Sequence, residues 1–221
     1  MVQSVCLAQY SNHQLYQAYL AQDMTVWQQY IASSNWDEMT DEEKKQLLIY
    51  EYGFTAYSLS HSKDLAANML QQYEQHLQKA QCILSEGEYL AYMVSVNTYK
   101  LALDNSKLLK YARGIYDNMN RALDVAQDDP FVLSMKGNVE FFSPVGSKKR
   151  ALEIFVKADR IYREQGTKDL WIVRAVQINI VQCLEKLGRN EEAILRCEEF
   201  LEEEPDLVFC QLMLAQLRGL R

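Results

Sequence analysis

Glycine and proline are scarce in this chain of 221 residues, which contains 8 glycines and 3 prolines. Folds rich in β-sheet need many tight turns, and these two residues make such turns most readily. Their scarcity therefore argues against a sheet-rich fold and favours long helices. The remaining composition, with 48% hydrophobic and 24% charged residues, is that of an ordinary globular protein.

The sequence has no apolar run of about 18 residues, so no segment is expected to span a membrane. Its beginning leaves two interpretations open. Cys6 and Ala8 stand where a signal-peptide cleavage site has small residues, although a charged start and a full apolar segment are missing. Residues 1–8 are either a signal-peptide remnant, which would make the protein periplasmic or exported, or an ordinary tail of a cytoplasmic protein.

None of the 5 cysteines belongs to a CxxC pair, and no histidine stands at metal-ligand spacing from any of them. We expect them to be small buried hydrophobic residues, and we predict no metal site. If the protein is exported, Cys183 and Cys197 could form a disulfide, but the sequence does not show the required geometry.

Signatures of catalysis and of nucleic-acid binding are also missing. The formal net charge is -7, and the densest basic cluster, at residues 148–150, is interpreted as a solvated helix start. No phosphate-loop, dinucleotide, nucleophile-elbow or zinc-protease motif occurs. We therefore predict no enzyme, no cofactor and no nucleic-acid partner. His76 is expected at the surface, and the acidic run at 198–205 is expected to be a solvated helix face.

What the sequence does contain is helical periodicity along most of its length. Apolar residues recur at three- and four-residue spacing, and no stretch alternates with period two. Helix starts are marked by a capping box at Thr40 and Glu43, by Ser62 and Ser85, and by Pro130. The pattern predicts about eleven helices, joined in pairs by short turns.

Residues 174–207 show how one such pair is punctuated. The two helices meet at Gly188, the second opens with Ala193, and the unit ends at Pro205. Glycine permits the positive φ that ends a helix, and a small residue lets two helices approach closely. Proline ends one helix and starts the next.

Residues 130–163 repeat this design. Gly137 stands at the helix crossing, and the second helix carries a small-aromatic-small pattern at Ala151, Phe155 and Ala158. The turn at 142–149 is about two residues longer than is usual for a repeat of this kind. Upstream, Gly53 and the segment 86–127 mark two more diverged units, whereas residues 1–38 do not fit the pattern.

This pattern resembles the tetratricopeptide repeat, a helix-turn-helix unit of about 34 residues. The resemblance implies an all-α fold, a right-handed α-solenoid of about four stacked hairpins over residues 39–221. Residues 1–38 would be an N-terminal tail with capping helices, and 205–219 a final capping helix. The layout is also similar to a bacterial family of short, mostly exported proteins of this type, in residues 22–27, in the Tyr52–Gly53 helix and in the turn around Gly146. That similarity favours the signal-peptide interpretation.

Stacked hairpins of this kind present a concave groove that can hold a partner segment. In family members that grip carboxylate tails, asparagines and basic residues on the first helices form the clamp, and Asn138 and Asn179 match the asparagines. Ser134 and Ala175 stand near the missing basic residues, so a carboxylate tail is not expected. We predict that the two amides hold a partner's backbone, since each donates and accepts. The alternative is that both are solvated helix residues.

Two further hypotheses concern anions and self-association. Backbone N–H groups at Gly146, Ser147 and Lys148 could hold an anion at a helix start, or the turn could simply cap its helix. The predicted function is a non-catalytic module that binds a protein or peptide partner in the groove. The alternative is a self-associating scaffold of a cell-envelope assembly, joined through the end helix at Leu207, Val208, Leu212, Leu214 and Leu217.

Overall fold

The structure, a computed structural model, describes residues 10–166 and 171–219, so the predicted signal-peptide remnant lies outside the described residues. Within these ranges every regular element is helical and no strand occurs. No helix there is both long and apolar enough to cross a membrane. The α-helices are α1 (Asn12–Leu20), α2 (Thr25–Ser33), α3 (Asp41–Leu59), α4 (Lys63–Lys79), α5 (Glu86–Leu103), α6 (Leu108–Ala126), α7 (Pro130–Phe142), α8 (Lys148–Glu164), α9 (Trp171–Lys186), α10 (Asn190–Glu203) and α11 (Val208–Leu217).

Side-chain caps mark six of the eleven helix starts in the described part of the chain. The Thr40 hydroxyl accepts from the backbone N–H of Glu43, whose carboxylate returns to the Thr40 N–H, so the predicted capping box is present. Ser85 forms an equivalent box at the start of α5. Asp129 caps α7 ahead of a proline in the first turn. Gly188 has a φ of +72°, as its place between α9 and α10 requires.

Helices that are neighbours in sequence pack against each other as pairs. α3 lies on α4, α5 on α6 and α7 on α8, and the chain from α8 to α11 continues this succession. α3 also touches α5, and α5 touches α7, so these three helices lie side by side in one layer. The observed architecture is therefore an all-α array of packed helix pairs.

The close approach between α7 and α8 follows the predicted small-residue pattern. Ala151, Phe155 and Ala158 are all completely buried. A Cβ atom at Gly137 would lie 2.4 Å from the Phe155 ring. The aromatic ring therefore occupies the space that a side chain at Gly137 would need.

The two N-terminal helices contact both ends of the array. Trp27 of α2 is completely buried, and its ring centroid lies 4.7 Å from that of Tyr50 in α3 and 5.1 Å from that of Trp171 in α9. Its Nε1 donates to the carbonyl of Leu15 at 2.7 Å. Gly53 permits this packing, because a Cβ there would meet both tryptophan rings at 2.8 Å. Residues 12–33 therefore bridge the first and last hairpins rather than capping the first hairpin alone.

A buried arginine strengthens this bridge. The guanidinium of Arg174 in α9 donates to the hydroxyl of Tyr16 in α1 at 2.8 Å, and to Gln177 at 2.7 Å. It also donates to Glu203 at 2.8 Å and to Glu204 at 3.1 Å. The expectation of a solvated acidic face holds for the exposed Glu203, although it is paired, and is wrong for Glu204, which is partly buried. Burial raises the pKa of Tyr16 to about 12, although the bond from Arg174 opposes the shift.

The end of the chain differs from the predicted capping helix. The helix begins at Val208 rather than at Pro205, since residues 205–206 form a turn. Leu207, predicted to be exposed for self-association, is only 1% exposed, whereas Leu212 is 60% exposed. The apolar surface of this end is therefore smaller than the sequence suggested.

The cysteines are free thiols in the described part of the chain. Cys183 and Cys197 are completely buried but are not joined, so the hypothetical disulfide between them is absent. Cys210 of α11 is completely buried as well. Cys82 is exposed, contrary to the expectation that every cysteine would be buried.

We predict that Trp27→Ala lowers the free energy of unfolding by about 3–5 kcal/mol, because it leaves a cavity between α3 and α9. Trp27→Phe should recover part of this loss, since it restores most of the apolar contact. Urea unfolding followed by circular dichroism measures both values. A loss below about 1 kcal/mol for the alanine variant would show that the bridge does not depend on this ring.

A second pair of variants tests the α7–α8 crossing. Gly137→Ala should lower the free energy of unfolding by about 1–3 kcal/mol, because the new methyl group overlaps a fully buried aromatic ring. Gly114→Ala in α6 is the matched control, since the three atoms nearest to its methyl group would belong to the partly buried Asn97 side chain, the closest at 3.0 Å, and not to a buried ring. The control should be neutral or stabilising by up to about 1 kcal/mol through helix propensity. Equal effects at the two positions in the same urea titration would contradict the packing argument.

Candidate functional site

The four residues predicted to line a groove do lie together. Ser134, Asn138, Ala175 and Asn179 all line a cavity of about 530 Å³, which we call the polar pocket. α7 supplies the first two side chains and α9 the other two. Its remaining walls come from the turn between α1 and α2, from α3 and from residues 207–209.

A chain of hydrogen bonds orders the amides of the polar pocket. The Nδ2 of Asn179 donates to the Oδ1 of Asn138 at 3.0 Å, and the Nδ2 of Asn138 donates to the hydroxyl of Tyr52 at 3.2 Å. Burial raises the pKa of Tyr52, although hydrogen bonds with Tyr99 and Asn138 oppose the shift. Tyr52 is therefore a neutral hydroxyl at ordinary pH and holds the Asn138 amide in one orientation.

The four side chains differ in what they can offer a ligand. Asn179 keeps its Oδ1 acceptor and its second N–H, because among the described residues its amide bonds only to Asn138. Ser134 is 1% exposed and donates to the Pro130 carbonyl at 2.6 Å, so its hydroxyl is already used. Ala175 contributes only a methyl group. Among these four side chains, Asn179 therefore offers a ligand the most, and the Gln22 and Gln182 amides line the same pocket.

Aromatic residues that the sequence did not single out complete the walls. Trp171 and Phe142 line the pocket together with Tyr57 and His61, whose rings stack at a centroid separation of 3.9 Å. Among the described residues that line it, none is Asp, Glu, Lys or Arg. The pocket is thus polar at its amides, aromatic at its walls and free of carboxylate or ammonium groups.

A second cavity adjoins the polar pocket. It has a volume of about 470 Å³, and we call it the apolar groove because its lining is almost entirely hydrophobic. α5, α6, α7 and the turn 143–145 enclose it, and it shares Tyr52, Ala56, Asn138 and Phe142 with the polar pocket. Sequence reasoning missed this groove. The signal that would have indicated it is the Leu108–Leu109 pair, which stands between lysines at the start of a helix.

The turn proposed to hold an anion already contacts a carboxylate of this chain. The Glu140 carboxylate accepts from the Ser147 N–H at 3.1 Å and pairs with Arg150 at 3.1 Å and with Lys136 at 3.3 Å. Ser147 also caps α8, and the Lys148 ammonium donates to the Phe141 carbonyl. An external anion would therefore have to displace Glu140 from this turn.

Gly146 is required for the same arrangement. A Cβ atom at this position would lie 2.1 Å from the Glu140 carbonyl oxygen. Burial raises the pKa of the Glu140 carboxyl, but the Ser147 N–H and the charges of Lys136 and Arg150 outweigh it, and the pKa lies below its usual value.

His76 is not the surface residue that the sequence suggested. Its Nδ1 lies 2.7 Å from the carboxylate of Glu51, which is completely buried, and its ring stacks on Trp36 at a centroid separation of 4.4 Å. Among the described residues, no serine, threonine or cysteine side chain is hydrogen-bonded to the His76 ring or to the Glu51 carboxylate. The described residues also hold no group of three His, Cys, Asp or Glu that could bind a metal. The pair joins α3 to α4.

We predict that Glu140→Gln lowers the free energy of unfolding by about 1 kcal/mol at pH 7, because it removes the anion that orders the turn. Since the folded-state pKa is depressed, this stabilisation is present above the usual carboxyl value of 4.5 and disappears as the pH falls through the folded value. The two unfolding curves should therefore converge in acid. Glu86→Gln, which removes the exposed pair with Arg121, is the control and should change little. A difference for Glu140→Gln that is independent of pH would contradict this account.

Comparisons with models of known protein families, with curated proteins and with solved structures found no match for this chain. The resemblance to the tetratricopeptide repeat accordingly rests on the residues named above, and the site is interpreted from its own geometry.

Proposed function

We propose that this chain is a non-catalytic protein-interaction module that binds a peptide segment of a partner in its polar pocket. In this proposal the helix pairs form a right-handed tetratricopeptide-like array of about four repeats, with the N-terminal helices packed across it. The observation that carries the proposal is the free acceptor and donor of Asn179 beside a fixed Asn138 amide. Such a pair matches the N–H and C=O groups of an extended backbone.

The lining of the pocket supports a neutral segment rather than a charged one. The described lining includes no arginine or lysine that could pair with a carboxylate tail, and no carboxylate that could pair with an amine. Aromatic walls instead favour apolar or aromatic side chains beside the hydrogen-bonded backbone. The cavity of about 530 Å³ has room for a few side chains of a ligand, not for a second domain.

Rigid presentation of the site also fits this role. The Asn138 amide is held by Tyr52, whose ring lies 6.0 Å from Tyr99 and 5.8 Å from Trp171, centroid to centroid. A polar group that is already oriented loses less conformational entropy when a ligand binds. Chemistry is not required, because a rigid surface with fixed donors and acceptors is sufficient for recognition.

The experiment is crosslinking capture from native cell extract with the full chain as bait. Asn179→Ala removes the free amide, and Asn68→Ala on the exposed side of α4 is the matched control. We expect the intact bait and the control to capture the same partner and Asn179→Ala to capture it at least about tenfold less, as expected for lost hydrogen bonds in a desolvated site. Thermal unfolding of all three baits excludes misfolding as the cause.

Equal capture by the three baits would show that the polar pocket does not hold the partner. Capture of the bait alone would favour the alternative, self-association of a scaffold, for which the exposed Leu212 of α11 is the relevant side chain. The compartment of a captured partner would also decide between a periplasmic and a cytoplasmic location.

A further inference from the structure

The apolar groove exposes large hydrophobic side chains that the fold does not need. Leu109 is 85% exposed, Val145 75%, Phe142 67% and Leu108 52%. All four line the same groove, on walls contributed by α6, α7 and the turn between α7 and α8. Contiguous exposed apolar surface of this kind marks an interaction site more often than scattered single residues do.

The shape of the groove fits the ridge of a helix. Its floor is made of buried side chains, among them Val94, Ile115 and Met135, whereas Leu109 and Val145 stand at its rims. A helix that places apolar residues at i, i+3, i+4 and i+7 presents one continuous ridge to such a groove. A flat lipid surface could reach the rims but not the floor.

Lysines without a carboxylate partner stand next to the segments that line the groove, although Lys148 donates to the Phe141 carbonyl. Most lysines and arginines of the chain form ion pairs, but five lysines form none with a carboxylate of residues 10–166 and 171–219. Lys107 and Lys110 flank the two leucines at the start of α6, and Lys148 and Lys149 open α8 just after the turn 143–145. Only Lys63, at the start of α4, lies elsewhere.

The charges around this groove are unusual for the chain. The formal net charge is -7, yet the helix starts beside the groove carry lysines that form no ion pair with a carboxylate of the described residues. Glu140 pairs with Arg150 and Asp117 with Arg113. The one nearby described carboxylate outside an ion pair is therefore that of Asp104, which accepts from Ser106 and partly offsets the charge of Lys107. A ligand with acidic flanks would supply the missing partners, whereas the negative chain as a whole would repel an anionic membrane.

We propose that the apolar groove binds the apolar face of an acidic amphipathic helix contributed by a partner protein. The inference rests on the proposed function, because it names the kind of segment that an interaction module of this shape takes. It concerns a different surface from the Asn179 amide, so the two can be tested separately.

The test uses the full chain and synthetic fluorescent peptides of about 16 residues, a length sufficient for an amphipathic helix. One peptide carries leucines on one face and glutamates on both flanks. A second peptide has every glutamate replaced by lysine. A third contains the same residues as the first in a scrambled order, so that its leucines do not form one face of a helix. Fluorescence anisotropy at low and at high salt measures binding. We expect only the first peptide to bind, and its affinity to fall as salt is added.

Variants locate the contact. Leu109→Ser combined with Val145→Ser changes two highly exposed side chains and should weaken binding by about tenfold or more. The matched control combines Leu195→Ser with Val156→Ser, which are 58% and 43% exposed on other helices. Lys107→Glu combined with Lys110→Glu should weaken binding several-fold at low salt, whereas Lys63→Glu should not.

The proposal is overturned if the acidic amphipathic peptide fails to bind, or if the acidic and basic peptides bind alike. Binding of the chain to anionic phosphatidylglycerol vesicles that depends on Leu109 would identify a membrane surface instead. Concentration-dependent mass in analytical ultracentrifugation, lost in the groove variant, would identify a second copy of the chain as the occupant.

These outcomes stay separate from the proposed function. If capture does not depend on Asn179 but the acidic peptide binds specifically, the apolar groove is retained as an interaction site and the polar pocket is not. Asn179-dependent capture without peptide binding would retain the module and remove this inference.

Discussion

Trp27 in α2 packs between Tyr50 of α3 and Trp171 of α9, and this contact holds together helices from opposite ends of the chain. The contact requires glycine at position 53, because a Cβ atom there would overlap both indole rings. The N-terminal helices therefore fill part of the space that an open array of hairpins would offer a partner. The polar pocket beside them and the apolar groove beyond remain accessible.

The Arg174 network makes the same bridge specific. A guanidinium that is only 4% exposed loses much of its hydration, and this loss is offset only if its donors find acceptors. Those acceptors come from α1, α9 and the end of α10, through Tyr16, Gln177 and the two glutamates. Displacing α1 would leave the arginine short of a partner at low dielectric, so α1 and α2 are part of the folded core and do not act as a removable lid.

The sequence predicted what is encoded locally. The capping box at Thr40, the helix start at Ser85 and the turn at Gly188 depend on residues a few positions apart, and all three are present. The bridge was not predictable in this way, since Tyr16 and Arg174 are 158 positions apart and helical periodicity carries no information about such a pair. At the site, the sequence identified Asn138 and Asn179. Only the structure shows that their amides are hydrogen-bonded to each other and that Asn138 also donates to the Tyr52 hydroxyl. The apolar groove escaped notice because Leu108 and Leu109 satisfy a helical pattern whether they are buried or exposed.

The two accessible surfaces share residues but differ in chemistry. Tyr52 contributes to the walls of both, and its hydroxyl accepts from Asn138, which also lines both. Because Tyr52 is packed against Tyr99, Phe131 and Trp171, neither wall can move without disturbing several buried rings. If both proposals hold, the surfaces would act as preformed templates. The uncharged amides would select for backbone on one side, and the apolar rims with their neighbouring lysines would select for an acidic helix on the other. A single partner that offers both features would gain from the short distance between the surfaces, since binding at one raises its effective concentration at the other.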